Sequence, residues 1–233
     1  MVDFDNLRRD EINDRLVLYQ VKDGLLFGTD ALMLADFICG QGSGAYKMGV
    51  EFGAGSGVVS LLLAARDKVR LVYAIEIQEL YAELAAYNAR VNGLGHNIKI
   101  ICADLKDCDN LYYDGARVLP HTADVIFSNP PYLKAGATGA LSPRDYKNIA
   151  RREIACDIFD VLKSAARLLK NGGDFYAVYR ADRLESLFAA MRGNNITPKR
   201  MRLVFAGAKS ASLVLVKGRQ GAGEGLVIEN IFV

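Results

Sequence analysis

The chain has 233 residues, 51% of them hydrophobic, so it can bury one substantial core, and we expect a single domain spanning residues 1–233. No apolar run approaches the roughly 18 residues of a membrane-spanning helix, and the N-terminal stretch is charged, so we expect a cytoplasmic protein without a membrane partner. The net charge is only +2, but residues 131–219 hold 17 Lys/Arg against 7 Asp/Glu, a local charge of +10 that predicts a polyanion-facing surface.

The histidines and cysteines argue against a metal site. His96 and His121 are far apart, and neither has a neighbouring cysteine or histidine. The four cysteines form no CxxC pair, and we expect Cys102 and Cys156, which stand among apolar residues, to be buried free thiols.

Seven short β-branched or apolar runs alternate with helical patterns, which predicts a doubly wound α/β fold with helices on both faces of a mostly parallel sheet. Only six residues separate the last two runs, so these strands should form an antiparallel hairpin. We expect an N-terminal segment (1–45), a Rossmann-like core (46–217) and a tail (218–233). Within the tail, 218–225 is expected to be a flexible loop and 226–233 a terminal strand or a docked tail. The predicted strands are 49–52, 71–75, 98–102, 125–127, 174–179, 202–205 and 212–216.

A glycine-rich turn follows the first predicted strand and precedes a helix predicted over 58–66. It opens with Glu51, and Gly53, Gly55 and Gly57 follow at alternate positions. Glycines allow the backbone to pass close to a ligand at a helix N-terminus. Position 58 is valine, so the pattern is ExGxGxG and not the dinucleotide fingerprint GxGxxG. A tight strand-to-helix connection without a ligand is the alternative.

Two acidic residues follow the next two strands. Glu76 ends the second predicted strand, where a carboxylate can accept hydrogen bonds from both hydroxyls of a ribose. Asp104 lies just past the third strand. Either residue could instead cap the helix that follows it.

An Asn-Pro-Pro-Tyr segment, Asn129 to Tyr132, follows the fourth predicted strand, at the edge where open α/β sheets bind ligands. Because residues before proline avoid the helical region and proline has no N–H, Asn129, Pro130 and Pro131 form a stiff, extended segment that offers acceptors. The Asn129 side-chain oxygen and the Pro130 carbonyl can each accept one N–H of an amino group. Tyr132 offers a flat surface for the ring that carries it.

The glycine turn, the order of elements and the final hairpin resemble class I S-adenosylmethionine-dependent methyltransferases, whose sheet has seven strands with the last one antiparallel. The resemblance implies that the turn cradles the methionine part of S-adenosylmethionine and that Glu76 binds its ribose. It also implies that Asp104 accepts from the adenine amino group, that Ile77 and Leu105 flank the ring, and that Asn129 lies against the cofactor.

The chemistry of amino methylation suits the Asn-Pro-Pro-Tyr segment. The lone pair of an adenine amino nitrogen is delocalised into the ring, and two acceptors favour a more tetrahedral, more nucleophilic nitrogen. Alignment with the methyl group adds a proximity effect, and the acceptors strengthen as charge develops. No strong general base is needed, because the methylated nitrogen becomes acidic and loses its proton afterwards.

The stretch 19–36 is similar to the opening of bacterial tRNA(Val) adenine-N6 methyltransferases, which act on the adenine beside the anticodon, and further similar stretches extend over nearly the whole chain. This resemblance implies a tRNA partner, and it implies that Thr29 and Asp30 close over the cofactor; a helix cap is the alternative for these two residues. The residues that we expect to bind RNA phosphates are Lys134, Arg144, Lys147, Arg151, Arg152, Lys199, Arg200 and Arg202.

Other functions stay open at this point. Similar Asn-Pro-Pro-Tyr segments occur in guanine-N2 methyltransferases and in protein-glutamine N5 methyltransferases, although the latter need a peptide groove. A non-catalytic module that binds cofactor and RNA is a third hypothesis, and the intact segment argues against it. The oligomeric state is not predicted.

Overall fold

The computed structural model describes residues 6–22, 24, 26–42, 44–130, 156–205, 207 and 210–232. The helices are α1 (Thr29–Cys39), α2 (Val58–Ala65), α3 (Glu79–Val91), α4 (Ile158–Leu168) and α5 (Leu184–Gly193), with 3₁₀ turns at Leu105–Asn110 and Ala181–Arg183. The strands are β1 (Leu7–Asn13), β2 (Leu16–Val21), β3 (Tyr46–Phe52), β4 (Val69–Glu76), β5 (Ile98–Cys102), β6 (Tyr112–Tyr113), β7 (Ala116–Arg117), β8 (Ala123–Ser128), β9 (Leu169–Arg180), β10 (Ile196–Phe205), β11 (Leu213–Gln220) and β12 (Val227–Phe232).

The central sheet has the strand order β12-β10-β11-β9-β8-β3-β4-β5. Strands β5, β4, β3, β8 and β9 are parallel neighbours, and β11 is antiparallel to both β9 and β10. This order confirms the doubly wound α/β arrangement and the predicted hairpin.

Among the described residues the central sheet has eight strands, one more than the seven predicted, because the segment 226–233 adds a strand to it and is not only a docked tail. Strand β12 pairs in parallel with β10, so the antiparallel strand β11 is not the last strand of the chain. Pairing with β12 satisfies backbone groups of β10 that an edge strand leaves open.

Helices cover both faces of the sheet and bury two cores. Alternate residues of a strand point to opposite faces, so Val125 and Phe127 of β8 pack with α1 and α2, whereas Ile126 packs with α4 and α5. Helix α2 is buried along nearly its whole length, as the apolar sequence after the glycine turn requires. The carboxyl ends of the parallel strands are therefore held rigidly side by side.

The predicted loop over 218–225 begins later than expected, because β11 continues through Gln220. A Cβ at Gly218 would lie 2.3 Å from the Met191 Cε atom, so glycine allows α5 to pack closely on the strand. The rest of the connection is tied to β10 by the Thr197 hydroxyl, which donates to the Ala222 carbonyl over 2.6 Å. The prediction of a flexible loop is thus corrected for its first three residues.

The N-terminal segment contains an antiparallel hairpin, β1–β2, that the sequence pattern did not predict. Two asparagines one turn apart hold it: Asn88 lies in α3, and Asn92 is the residue that caps the C-terminus of this helix. Asn88 accepts from the Tyr19 N–H (2.8 Å) and donates to the Tyr19 carbonyl (2.9 Å), and Asn92 makes the same pair of bonds to Val17. Asn88 also donates to the Ser56 carbonyl (2.9 Å), so the hairpin is joined to the glycine turn.

Candidate active site

A cavity of about 820 Å³ opens at the carboxyl ends of β3, β4, β5, β8 and β9. Thr29, which is exposed, and Gly57 are the two predicted cofactor-binding residues that do not line it. The predicted residues that the fold brings together around the cavity are Asp30, Glu51, Gly53, Gly55, Glu76, Ile77, Asp104, Leu105, Asn129 and Pro130.

The glycine turn presents backbone to the cavity. Gly53 and Gly55 have φ angles of +69° and +54°, a region that side chains disfavour, and a Cβ at either position would meet no atom within 4 Å. Gly57, at the N-cap of α2, has a φ angle of +81°, and a Cβ there would lie 3.2 Å from the Ala85 Cβ atom. It allows α2 to pack against α3 and lies behind the ligand-facing side of the turn.

Glu76 is the last residue of β4 and is 5% exposed. One carboxylate oxygen accepts from the Gly55 N–H (2.8 Å) and the other from the Gln78 N–H (2.9 Å). Burial raises the pKa of this carboxyl group. The two oxygens offer four lone pairs, more than the backbone N–H groups of Gly55, Ile77 and Gln78 use, so acceptor capacity remains for a ribose.

The neighbouring part of the cavity suits a flat heterocycle. The Ile77 side chain is 46% exposed although it is apolar, and Leu105 also lines the cavity. Asp104 caps the 3₁₀ turn by accepting from the Lys106 N–H (2.9 Å), so the predicted capping alternative is present, and Asp104 also lines the cavity. These groups fit an adenosine.

Two cysteine predictions are corrected here. Cys102 is exposed at the end of β5, and Cys156 is half-buried and lines the cavity. Burial raises the pKa of the Cys156 thiol to about 12, so it contributes a neutral wall. The apolar residues next to Cys156 in the sequence did not indicate that it lines the cavity.

Glu51 is buried inside the turn. Its carboxylate accepts from the Ser60 N–H (3.2 Å) and from the Ser60 hydroxyl, so it satisfies a donor in the first turn of α2. Burial raises the pKa of Glu51 to about 8, and the charge of Glu76 adds to this effect. Glu51 both supports the helix and lines the cavity.

Asn129 and Pro130 follow β8 at the middle of the cavity, whereas Pro131 and Tyr132 lie outside the described residues. The strand end is fixed by the Ser128 hydroxyl, which donates to the Phe52 carbonyl over 2.9 Å. The Asn129 side-chain amide donates to the Asp30 carboxylate over 3.1 Å. This bond joins the start of α1 to the segment predicted to hold the target amino group.

The far end of the cavity is lined by residues that the sequence did not single out. Arg180 ends β9 and forms a two-bond pair with Asp182, with N–O distances of 2.8 and 2.5 Å, which lowers the pKa of Asp182. Leu26, Phe27 and Ser212 line the same end. The position of Arg180 at the carboxyl end of a parallel strand is the signal that could have found it.

The described members of the predicted RNA-binding set all have internal partners. Lys199 donates to the Gly223 and Glu224 carbonyls over 3.3 and 2.9 Å. Arg200 and Arg202 both pair with Glu229 of β12. The other members, Lys134, Arg144, Lys147, Arg151 and Arg152, lie outside the described residues.

Residues 28–192 match the family model described as the methyltransferase small domain. The chain belongs to this family. It is a methyltransferase that uses S-adenosylmethionine, the cofactor whose adenosine part fits the cavity described above.

Two similar proteins are both named tRNA1(Val) (adenine(37)-N6)-methyltransferase. One, from Bacteroides thetaiotaomicron, is 30% identical over 207 residues, which cover 82% of this chain and 81% of that protein. The other, from Bacteroides fragilis, is 28% identical over 191 residues, which cover 82% of this chain and 75% of that protein. This methyltransferase thus aligns with most of the length of both relatives.

Solved structures support the fold. A predicted O-methyltransferase from Agrobacterium tumefaciens has a TM-score of 0.65 at 20% identity, covering 88% of this chain and 86% of that one. TYW2 of M. jannaschii in complex with AdoMet has a TM-score of 0.62 at 16% identity, with 92% and 85% covered. Within the described part of this methyltransferase, no helix is long and apolar enough to span a membrane.

Proposed function

We propose that this methyltransferase transfers a methyl group to N6 of an adenine in tRNA, at the adenine beside the anticodon of a valine tRNA. The observation that carries the proposal is that Asn129 and Pro130 share one cavity with the glycine turn, Glu76 and Asp104. The names of two relatives at 28% and 30% identity support the choice of tRNA and of adenine.

At the cofactor end, we assign the binding of S-adenosylmethionine to residues of β3, β4 and the loop after β5. S-adenosylmethionine supplies a methyl group that its sulfonium makes electrophilic. Gly53 and Gly55 let the backbone approach the methionine part, and Glu76 accepts from the ribose hydroxyls. Asp104 accepts from the adenine amino group between Ile77 and Leu105, and Glu51 supports the turn.

At the reacting end, the Asn129 side-chain oxygen and the Pro130 carbonyl accept the two N–H groups of the target amino nitrogen. These bonds orient the nitrogen lone pair toward the methyl group, and they strengthen as positive charge develops on nitrogen. In the proposal, Pro131 keeps the segment extended and Tyr132 stacks on the base. The proton leaves after transfer, so no residue of the site needs to act as a strong base.

The RNA is held, in this proposal, by the basic residues that the sequence analysis assigned to RNA phosphates. Arg180, at the far end of the cavity, is added to the RNA-binding residues predicted from the sequence, since its side chain is 41% exposed. A base in an anticodon loop is already partly unpaired, so turning it into the cavity costs less than opening a duplex. A tRNA substrate implies that the enzyme works in the cytoplasm.

The proposal is tested with labelled S-adenosylmethionine and a valine tRNA transcript, followed by mass spectrometry of the nucleosides. We expect N6-methyladenosine in this transcript and none in a matched transcript that carries guanine in place of the adenine beside the anticodon. Bacterial release factor serves as the competing substrate. Label in release factor alone, or N2-methylguanosine in the tRNA, would replace the proposal with one of the alternative amino methylations.

A further inference from the structure

The Asp30 carboxylate is held between two donors. One oxygen accepts from the Ala31 N–H (2.9 Å) at the start of α1, and the other accepts from the Asn129 side-chain amide (3.1 Å). Gly28 keeps space for this carboxylate, because a Cβ at position 28 would lie 2.6 Å from an Asp30 oxygen. Gly28, Asp30 and Asn129 are thus arranged around one contact between α1 and the end of β8.

The contact determines which way the Asn129 amide faces. A carboxylate offers only acceptors, so only the NH₂ group of Asn129 can point toward it at 3.1 Å. The amide group is planar, and its carbonyl oxygen then lies on the side away from Asp30. If the amide were turned by half a rotation, it would present N–H groups to the N–H groups of the target amine.

We infer that Asp30 is a positioning residue for the reaction: its carboxylate holds the Asn129 amide with the carbonyl oxygen toward the target nitrogen. This inference rests on the proposed function for the identity of that nitrogen. It differs from a contact with the cofactor, because Asp30 would act through Asn129, the side chain that receives the substrate.

The test is a reciprocal swap of the two side chains. In Asp30→Asn the carboxylate is lost, the Asn129 amide can turn, and we expect kcat to fall by about tenfold to a hundredfold with the cofactor Kd changed by less than about twofold. Asn129→Asp places two carboxylates together and should also lose activity. In the double variant, the amide introduced at position 30 donates to the carboxylate introduced at position 129. That carboxylate keeps an acceptor for the substrate, so kcat should exceed that of each single variant by about tenfold.

The matched control is Asp36→Asn, which removes a carboxylate from the same helix. Asp36 pairs with Arg66 away from the cavity, so kcat and Kd should both stay at the wild-type values. A double variant no more active than either single variant would overturn the inference. So would Asp30→Asn with a weakened cofactor Kd and an unchanged kcat, because Asp30 would then be a cofactor contact.

A second readout needs neither substrate nor cofactor. The Asn129 side-chain amide signal in a ¹H–¹⁵N spectrum, assigned by its loss in Asn129→Ala, should shift in Asp30→Asn and stay in place in Asp36→Asn. An unshifted signal in Asp30→Asn would also overturn the inference. If the wild-type enzyme methylated no tRNA, the proposed function would fail while this spectrum still tested the Asp30–Asn129 contact.

Discussion

The two ends of the cavity are built differently. At the cofactor end, Glu76 is 5% exposed and both its oxygens are held by N–H groups of adjacent turns. At the far end, where we propose that the substrate enters and which we call the substrate end, the Arg180 and Asp182 side chains are 41% and 60% exposed and form an ion pair. Buried groups held by backbone are preorganised for one small ligand, whereas exposed side chains held only by each other can rearrange when a large substrate binds. We therefore expect substitutions at the two ends to affect different constants.

Asn129→Ala should have the largest effect, because Asn129 stands between the two ends. Removing one acceptor that acts mainly in the transition state should lower kcat by about a hundredfold to a thousandfold, with the cofactor Kd nearly unchanged. Single-turnover kinetics and calorimetry measure the two quantities. A kcat close to that of the wild type would remove Asn129 from the chemistry.

Glu76→Ala should act at the cofactor end alone. Loss of two charge-assisted hydrogen bonds should raise the cofactor Kd by about 30-fold to 100-fold, while kcat at saturating cofactor changes little. Titration calorimetry checks the value. Glu79→Ala is the control, because Glu79 is an exposed acid in the first turn of α3 and its removal should leave Kd unchanged. Equal Kd values for the two variants would contradict the assigned role of Glu76.

Glu51→Gln tests how the buried Glu51 carboxyl, which supports the glycine turn at the cofactor end, affects protein stability at different pH values. The pKa of Glu51 is raised from 4.5 to about 8, so below pH 4.5 the carboxyl is protonated in folded and unfolded chains alike. As pH rises from 4.5 to about 8, only the unfolded chain releases the proton, and wild-type stability falls. Glutamine does not titrate, so the variant should gain on the order of 2–4 kcal/mol relative to the wild type across this range.

Urea unfolding at about pH 5 and about pH 8.5 measures that difference. A gap between the two proteins that stays constant with pH would show that Glu51 is ionised in the fold over the whole range. The Ser60 donors favour such ionisation, so this outcome would sharpen the description of the turn.

Arg180→Gln should have the smallest effect, at the substrate end. We expect the KM for tRNA to rise by about threefold to tenfold, with a weaker dependence of binding on salt, because one phosphate contact is lost. Arg192→Gln is the matched control, since Arg192 pairs with Glu224 and does not line the cavity. Arg202→Gln should change KM by less than about twofold, because Arg202, unlike Arg180, does not line the cavity. A larger effect of Arg202 than of Arg180 would move the RNA surface toward β12.

Much of the cofactor end could be predicted because each part is local. The pattern from Glu51 to Gly57 specifies a turn between a strand and a helix. The role of Glu76 could be predicted from its position at the end of the next strand. Gly57 was also assigned to the cofactor; it does not line the cavity, and its close approach to Ala85 of α3 arises only in the folded protein. The substrate end could not be predicted in the same way, since Phe27, Arg180 and Ser212 are far apart in the chain.

The sequence by itself determined the doubly wound class, the strands whose carboxyl ends carry the candidate site residues, and the residue types suited to amino methylation. Periodicity, glycine spacing and proline restrictions act over a few residues, so they can be read without knowing what packs against them. Tertiary structure alone decided the pairing of the terminal strand β12 with β10, the docking of the β1–β2 hairpin on Asn88 and Asn92, and the contact between Asp30 and Asn129. Such contacts join residues up to 99 positions apart, and the folded sheet and helices bring them together.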